Sequence, residues 1–192
     1  KLRRAQERVV ATRPFAREAK RVLASIAGRV DRTSHPLLTR RPGAETGATM
    51  LIVISADRGL CGGLNINLFK LVLASVQEWR GKGAEVSLVT LGKKASAFFK
   101  NVRIEIAAHA ASLGEKPQIE SLIGSIKVML DAYREERVDL VYIVYNDFIN
   151  TMSQHPRLEQ LLPLPDTEDK EVHDIWDYIY EPDAETLLDF VL

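Results

Sequence analysis

The chain has 192 residues, 46% hydrophobic and 27% charged, with a formal net charge of zero. That leaves room for one α/β domain with a real core, and no apolar run approaches the roughly 18 residues or more of a membrane span. A single cysteine excludes an internal disulfide and suits a reducing compartment.

The charge is unevenly placed. Residues 1–42 carry twelve Lys and Arg against three Asp and Glu, and residues 157–192 carry two against eleven. A basic head and an acidic tail can attract each other, or each can meet a partner. They can equally be two solvated faces.

Residues 1–30 read as one long helix. Leu2, Ala5, Val9, Thr12, Ala16, Ala19, Leu23, Ile26 and Val30 fall at alternating intervals of three and four, a heptad seam. Fully helical, the segment would be roughly 45 Å long. Pro14 should bend or loosen it. Its arginines would suit phosphates, but Phe15 alone interleaves and no nucleic-acid module is spelled, so no nucleic acid is expected as a partner.

Residues 31–48 lack periodicity, and Pro36, Arg40-Arg41-Pro42-Gly43 and Gly47 read as a loop or hairpin turn. Met50-Leu51-Ile52-Val53-Ile54 is a buried strand running to Ser55. A glycine-rich turn follows, then a helix carrying Leu64, Leu68, Leu71, Val72, Val76 and Trp79, ended by Gly81 and Gly83. Residues 84–91 give a second strand and residues 93–99 a short helix. Val102, Ile104 and Ile106 alternate as a short third strand, with residues 107–116 as linker. After Pro117, the residues Ile119, Leu122, Ile123, Ile126, Leu130 and Tyr133 mark a helical face.

Residues 138–145 form a nearly continuous apolar strand of the kind buried on both faces of a parallel sheet. Pro156 and Pro163 confine any strand in residues 154–163 to an edge. Residues 165–174 read as an acidic surface loop. Ile175 to Tyr180 alternates, and Pro182, Asp183 and Glu185 open a helix whose stripe runs to Leu192. Strands alternating with helices predict a single Rossmann-like, mostly parallel α/β domain.

The turn between strand and helix is the one place that suggests chemistry. A glycine turn opening a helix presents backbone N–H groups and a positive dipole end. Yet Gly59, Gly62 and Gly63 are spaced G-x-x-G-G, neither the dinucleotide nor the P-loop pattern. The plainer reading is a sharp turn with close helix–sheet packing. Asp57 and Arg58 read as turn-capping residues, Asn65 and Asn67 as capping or partner contacts, and Cys61 as a small packing residue. The four histidines, His35, His109, His155 and His173, have no ligand spacing and read as ordinary loop or surface residues. No metal, cofactor or catalytic constellation is spelled.

The stretch Ser55-Ala56-Asp57-Arg58-Gly59-Leu60-Cys61-Gly62-Gly63-Leu64-Asn65-Ile66-Asn67 resembles the gamma subunit of F-type ATP synthases. Ala56 stands where that family usually has a small polar residue. Lys1 to Arg8 with Arg13-Pro14-Phe15 resembles the family's N-terminal helix, and Tyr180-Glu181-Pro182-Asp183 with Leu187-Leu188 the entry to its C-terminal helix. The resemblance implies a non-catalytic rotor shaft without a cofactor. It implies terminal helices, residues 1–30 and 182–192, paired as an antiparallel coiled coil, and a globular domain over residues 31–181.

The implied partners are the alpha and beta subunits of the catalytic hexamer, the epsilon subunit and the c-ring. The implied place is the cytoplasmic face of a bacterial cell membrane, peripheral through the complex, rather than the mitochondrial inner membrane. The signature loop Asp57, Arg58, Gly59, Leu60, Cys61, Gly62, Gly63, Leu64 and Asn65 is then structural. Charge and resemblance together turn Arg3, Arg4, Arg8 and Arg13 toward the hexamer. The chain reads as a fragment of such a subunit. Two other readings stand beside it: a phosphate- or nucleotide-binding α/β enzyme using Gly59 to Asn65, and an adaptor whose basic helix binds an acidic partner or nucleic acid.

Overall fold

The computed structural model describes residues 2–28, 35–114, 117–150 and 152–165. The expectations for residues 166–192 lie outside them. The chain divides into two compact units, Lys1–Thr39 with Leu164–Leu192, and Arg40–Pro163.

In the first unit, α1 runs from Leu2 to Ala27. Pro14 lies inside it without ending it. The carbonyl four residues back, on Val10, loses its helical donor; that residue is exposed, so water can serve instead. Leu23 and Ile26 pack with Val22, Ala27, Leu38 and Leu164. The seam residues nearer the start, Val9, Thr12, Ala16 and Ala19, are exposed. His35 lies in a loop, one of the two places expected for it, but is buried there; its Nδ1 accepts the Leu37 N–H at 3.3 Å, and its carbonyl accepts from Leu38 and Thr39.

The second unit is built from β1 (Thr49–Ile54), α2 (Leu64–Gly81), β2 (Val86–Leu91), α3 (Lys93–Asn101), β3 (Glu105–Ala110), α4 (Glu120–Arg134), β4 (Leu140–Asn150) and β5 (Ser153–Leu162). The strand order is β3-β2-β1-β4-β5. β4 and β5 pair antiparallel and every other neighbour pairs parallel. This is the mostly parallel, Rossmann-like α/β sheet that the sequence predicts. β1 is apolar from Met50 onward because both faces of Met50 to Val53 are covered. Leu51 and Val53 enter a core with Leu68, Phe69 and Val72 of α2 and Phe99 of α3, and Met50 and Ile52 are buried as well. Phe69 stacks on Phe98 at 4.7 Å between centroids and meets Phe99 edge-on at 5.2 Å, which locks α2 to α3. Right-handed crossovers put α2 and α3 on one face and α4 on the other.

Three elements differ from expectation. The third strand is Glu105–Ala110, not residues 102–106, which shortens the linker expected from residue 107. Val102 caps α3, and Arg103 turns left-handed at φ 58°, so the helix end consumes the residues whose alternation looked like strand. β4 runs to Asn150 instead of residue 145, because the antiparallel hairpin with β5 continues past Val144, the last residue paired with β1. α4 buries Ser125, Met129, Ala132 and Tyr133 against the sheet and leaves Ile119, Ile123 and Ile126 exposed.

The end of α4 is tied down by Arg41. Its Nη1 donates to the Val138 carbonyl at 2.8 Å and its Nη2 to the Tyr133 carbonyl at 2.7 Å, with the guanidinium 4.8 Å from the Tyr133 ring centroid. Asp139 lies 3.6 Å from the same guanidinium and accepts the Ala48 N–H at 2.9 Å. A residue counted in the basic head is thus a latch between the last turn of α4 and the chain entering β4.

Candidate functional site

The signature loop leaves the carboxyl end of β1 and delivers the chain to α2. Ser55 continues the ladder by one bond, its N–H donating to the Leu91 carbonyl at 2.8 Å, and its Oγ accepts the Ala95 N–H at 2.9 Å. This close passage fixes Gly92, whose φ is 108° and where any Cβ would collide with the Ser55 carbonyl.

Asp57 then acts as a hub. Its Oδ1 accepts the Lys93 N–H at 2.9 Å and the Ser112 N–H at 3.1 Å, and its Oδ2 accepts the Gly114 N–H at 3.3 Å. One carboxylate joins the β1 exit, the first turn of α3 and the segment after β3. These donors, that of Lys93 foremost, hold the Asp57 carboxyl below its ordinary value, against the opposing effect of burial.

Beyond Arg58, which is exposed, Leu60 adopts φ 60° and points outward, and Gly62 adopts φ 58° with nothing within 4 Å of a built Cβ. At Gly63 a Cβ would lie 3.2 Å from the Asn67 amide, so the turn passes close to α2. Gly59 passes similarly near the Lys94 ammonium, at 3.3 Å. Asn65 is buried in the first turn of α2. Its Oδ1 accepts the Ala56 N–H at 3.2 Å and its Nδ2 donates to Cys61 Sγ at 3.1 Å. It therefore binds the loop's two ends together and does not cap the helix; the N-cap position is Gly63, without a side-chain bond. Cys61 is half-buried, more open than a packing residue. Asn146 of β4 donates to the Leu64 carbonyl at 3.4 Å.

The polar side chains Ser55, Asp57 and Asn65 thus bond to this protein's own backbone. An open groove of about 480 Å³ lies beside the loop, lined by Leu60, Ile66, Phe69, Leu73, Phe98 and Lys94 among others. Among the described residues no three His, Cys, Asp or Glu side chains converge as metal ligands.

The sequence marks Asp57 through Asn65 as a unit, and the structure brings them together at one corner. Ser55 heads the same stretch, but the sequence does not mark Lys93, Ser112 or Gly114, which complete that corner; Gly114, at φ 70°, is their one local signal. Arg3, Arg4, Arg8 and Arg13 lie on α1 in the other unit, Arg8 exposed and Arg13 half-buried.

The whole chain, residues 1–192, matches the ATP synthase family. It is 50% identical over 192 residues to the ATP synthase gamma chain of Xanthomonas campestris pv. campestris, and 48% identical to that of Xanthomonas oryzae pv. oryzae. In each case all of this chain aligns with 66% of the relative, so it spans a little under two thirds of their length. Its fold resembles the central stalk and c-ring structure of the Tetrahymena thermophila mitochondrial ATP synthase, with a TM-score of 0.65 at 18% identity, over 99% of this chain and 80% of that one.

Proposed function

The chain belongs to the ATP synthase gamma-chain family, and on that premise we propose that it is the central rotor shaft of a proton-translocating ATP synthase, with no catalysis of its own. The observation that carries this is the family match along all 192 residues. The engagement of Ser55, Asp57 and Asn65 inside the fold supports a structural corner over a phosphate cradle.

The domain boundaries in this reading are residues 1–30 and 182–192 for the shaft and 31–181 for the globular part. α1 pairs antiparallel with the helix expected from residue 182 onward, and the exposed seam residues Val9, Thr12, Ala16 and Ala19 support that pairing. The coiled coil stands inside the alpha and beta hexamer. The globular domain meets the epsilon subunit and the c-ring at the cytoplasmic face of a bacterial membrane. No described helix is long and apolar enough to cross a membrane itself.

Proton flow turns the ring and the shaft with it. A turning shaft drives catalysis elsewhere by contacting three beta subunits differently at each angle. Each site follows only as far as those contacts differ between its conformations. Swinging a site from 1:99 to 99:1 takes about 5.5 kcal/mol of differential contact, the scale of a few well-placed arginine contacts. Arg3, Arg4, Arg8 and Arg13 fill that role.

The test is co-expression of the full-length chain with alpha and beta subunits, followed by ATPase and proton-pumping assays. Charge reversal at Arg3, Arg4 and Arg8 together should leave ATP hydrolysis in place and reduce pumping. Unchanged coupling and assembly would remove the arginines from the mechanism, and failure of the parent chain to co-purify would remove the shaft. Titration with ATP, NAD and phosphate discriminates the enzyme reading, which stoichiometric binding would favour.

A further inference from the structure

Between α3 and β3 lies a second open groove, of about 510 Å³, away from the signature corner. That volume falls within the roughly 300–1,000 Å³ of small-molecule sites. α3 and β3 run in opposite directions along it. At the upper end α3 begins and β3 finishes, and the Gly92 N–H donates to the Ala110 carbonyl at 2.7 Å. At the lower end the chain turns from α3 toward β3, and the Ile104 N–H donates to the Phe99 carbonyl at 3.3 Å.

The middle of the groove is apolar. Buried Ile104 and half-buried Ile106 form one wall, and exposed Ala97 forms the other. Ser96 lines it too, but its hydroxyl lies 2.7 Å from that of buried Thr90 and is engaged there. The ends are not apolar. Lys93 and His109 stand at the upper end, and Lys100 at the lower, about 10 Å further along the helix. α3 carries three lysines and no acid, and among the described residues neither Lys93 nor Lys100 has an ionic partner. Glu105, the one acid of β3, alternates with Ile106 and so points to the opposite face of the sheet.

We propose that this groove binds a medium-chain fatty acid as its carboxylate. The hydrocarbon chain lies over Ile104, Ile106 and Ala97. The carboxylate sits at the upper end, where the Lys93 ammonium and the His109 ring converge on it. The N–H groups of Lys93, Lys94 and Ala95 are already committed to Asp57, Ala56 and Ser55, so side chains and not the helix end hold the anion. Lys100 lends mainly its aliphatic stem to the lower end. An apolar floor bordered by unopposed cations matches a chain with one anionic end. An inorganic anion leaves that floor wet, and a cationic amphiphile is repelled by the lysines.

The probe is decanoate below its micellar range, titrated into the full-length chain and followed by amide shifts in NMR. Saturable shifts are expected at Ala97, Ile106, His109 and Ala111. Affinity should rise about twofold per methylene from hexanoate to decanoate, since an open groove buries roughly half of each. Decyltrimethylammonium and inorganic phosphate should leave these amides unmoved. Ala97→Glu, which lays a carboxylate across the floor, should weaken decanoate at least tenfold. Lys93→Gln should weaken it about threefold, with Lys93→Arg restoring it and Lys100→Met within about twofold of the parent. Ala97, Lys93 and Lys100 are exposed, and an unchanged thermal midpoint verifies each fold. Absence of saturation up to about 5 mM, shifts centred elsewhere, equal binding of the cation, or indifference to Ala97→Glu would overturn the assignment. Binding to anionic phospholipid vesicles but not to free decanoate would give the groove to a membrane surface and overturn it as well.

Discussion

Replacing Asp57 by alanine isolates the role of the signature corner. The carboxylate accepts three backbone N–H bonds, from Lys93, Ser112 and Gly114. The first sits in the opening turn of α3, where loss of a capping acceptor costs about 1 kcal/mol. The other two hold the segment after β3. Charged acceptors are nominally stronger, but this carboxylate is open to water, so roughly 0.5 kcal/mol each is appropriate.

The total, about 2 kcal/mol, acts on a unit of about 120 residues whose unfolding entropy is roughly 0.25 kcal/mol per kelvin. The expected fall in Tm is therefore about 8 °C by calorimetry. Asp57→Asn retains two acceptor lone pairs without the charge and should lose about half as much. The pH dependence follows from a carboxyl whose folded pKa lies below its ordinary 3.8. The stabilisation is complete above that ordinary value and disappears as pH falls through the lowered one. The parent and Asp57→Asn should differ by a constant amount near neutrality and converge in acid. An Asp57→Ala midpoint within 1–2 °C of the parent would refute the hub.

Arg41→Ala removes two carbonyl contacts and the Tyr133 stacking, and should cost about 3 kcal/mol in urea unfolding, with Arg41→Lys recovering little of it. Gly92→Ala and Gly62→Ala both place a side chain at positive φ, but only the former meets backbone, the Ser55 carbonyl. Gly62→Ala should cost about 1–2 kcal/mol and Gly92→Ala clearly more, so equal urea midpoints would contradict the close passage. The Tyr145 hydroxyl is pushed up to about 12 by burial and by its 2.7 Å bond to Glu159. Ultraviolet titration should show it ionising after the ordinary tyrosines, earlier in Glu159→Gln, and the fold should lose stability as pH rises through that interval.

The parts of the fold legible in the sequence are those that residue spacing determines. Met50 to Ile54 could be little else than a strand buried on both faces, and Leu68, Val72 and Val76 had to face it. β3 was displaced in the reading because Arg103, a non-glycine residue, takes the left-handed turn, and because Ala107, Ala108 and Ala110 have no pattern to reveal. α4 was legible as a helix but not in its orientation. Its isoleucines outweigh Ser125 and Ala132 in any hydrophobic count, yet the smaller pair is what fits against the sheet.

The glycine corner was legible as a turn and through its family spelling. The partners of Asp57 were not, since Ser112 and Gly114 come from 55 and 57 residues away and contribute only backbone. Cys61 and His35 show the same limit, because burial of a single polar residue depends on neighbours that spacing does not name.

The bond from Asn146 to the Leu64 carbonyl crosses between β4 and the start of α2. It lies where the sheet changes direction, with β2 on one side of β1 and β4 on the other. In open α/β sheets that reversal splays the helices apart and leaves a crevice for small molecules at the carboxyl ends of the strands. Here Asn146 stitches one lip to the other, while Asn65 draws the intervening loop down beneath it. A scaffold that elsewhere receives a guest is here bridged by its own side chains.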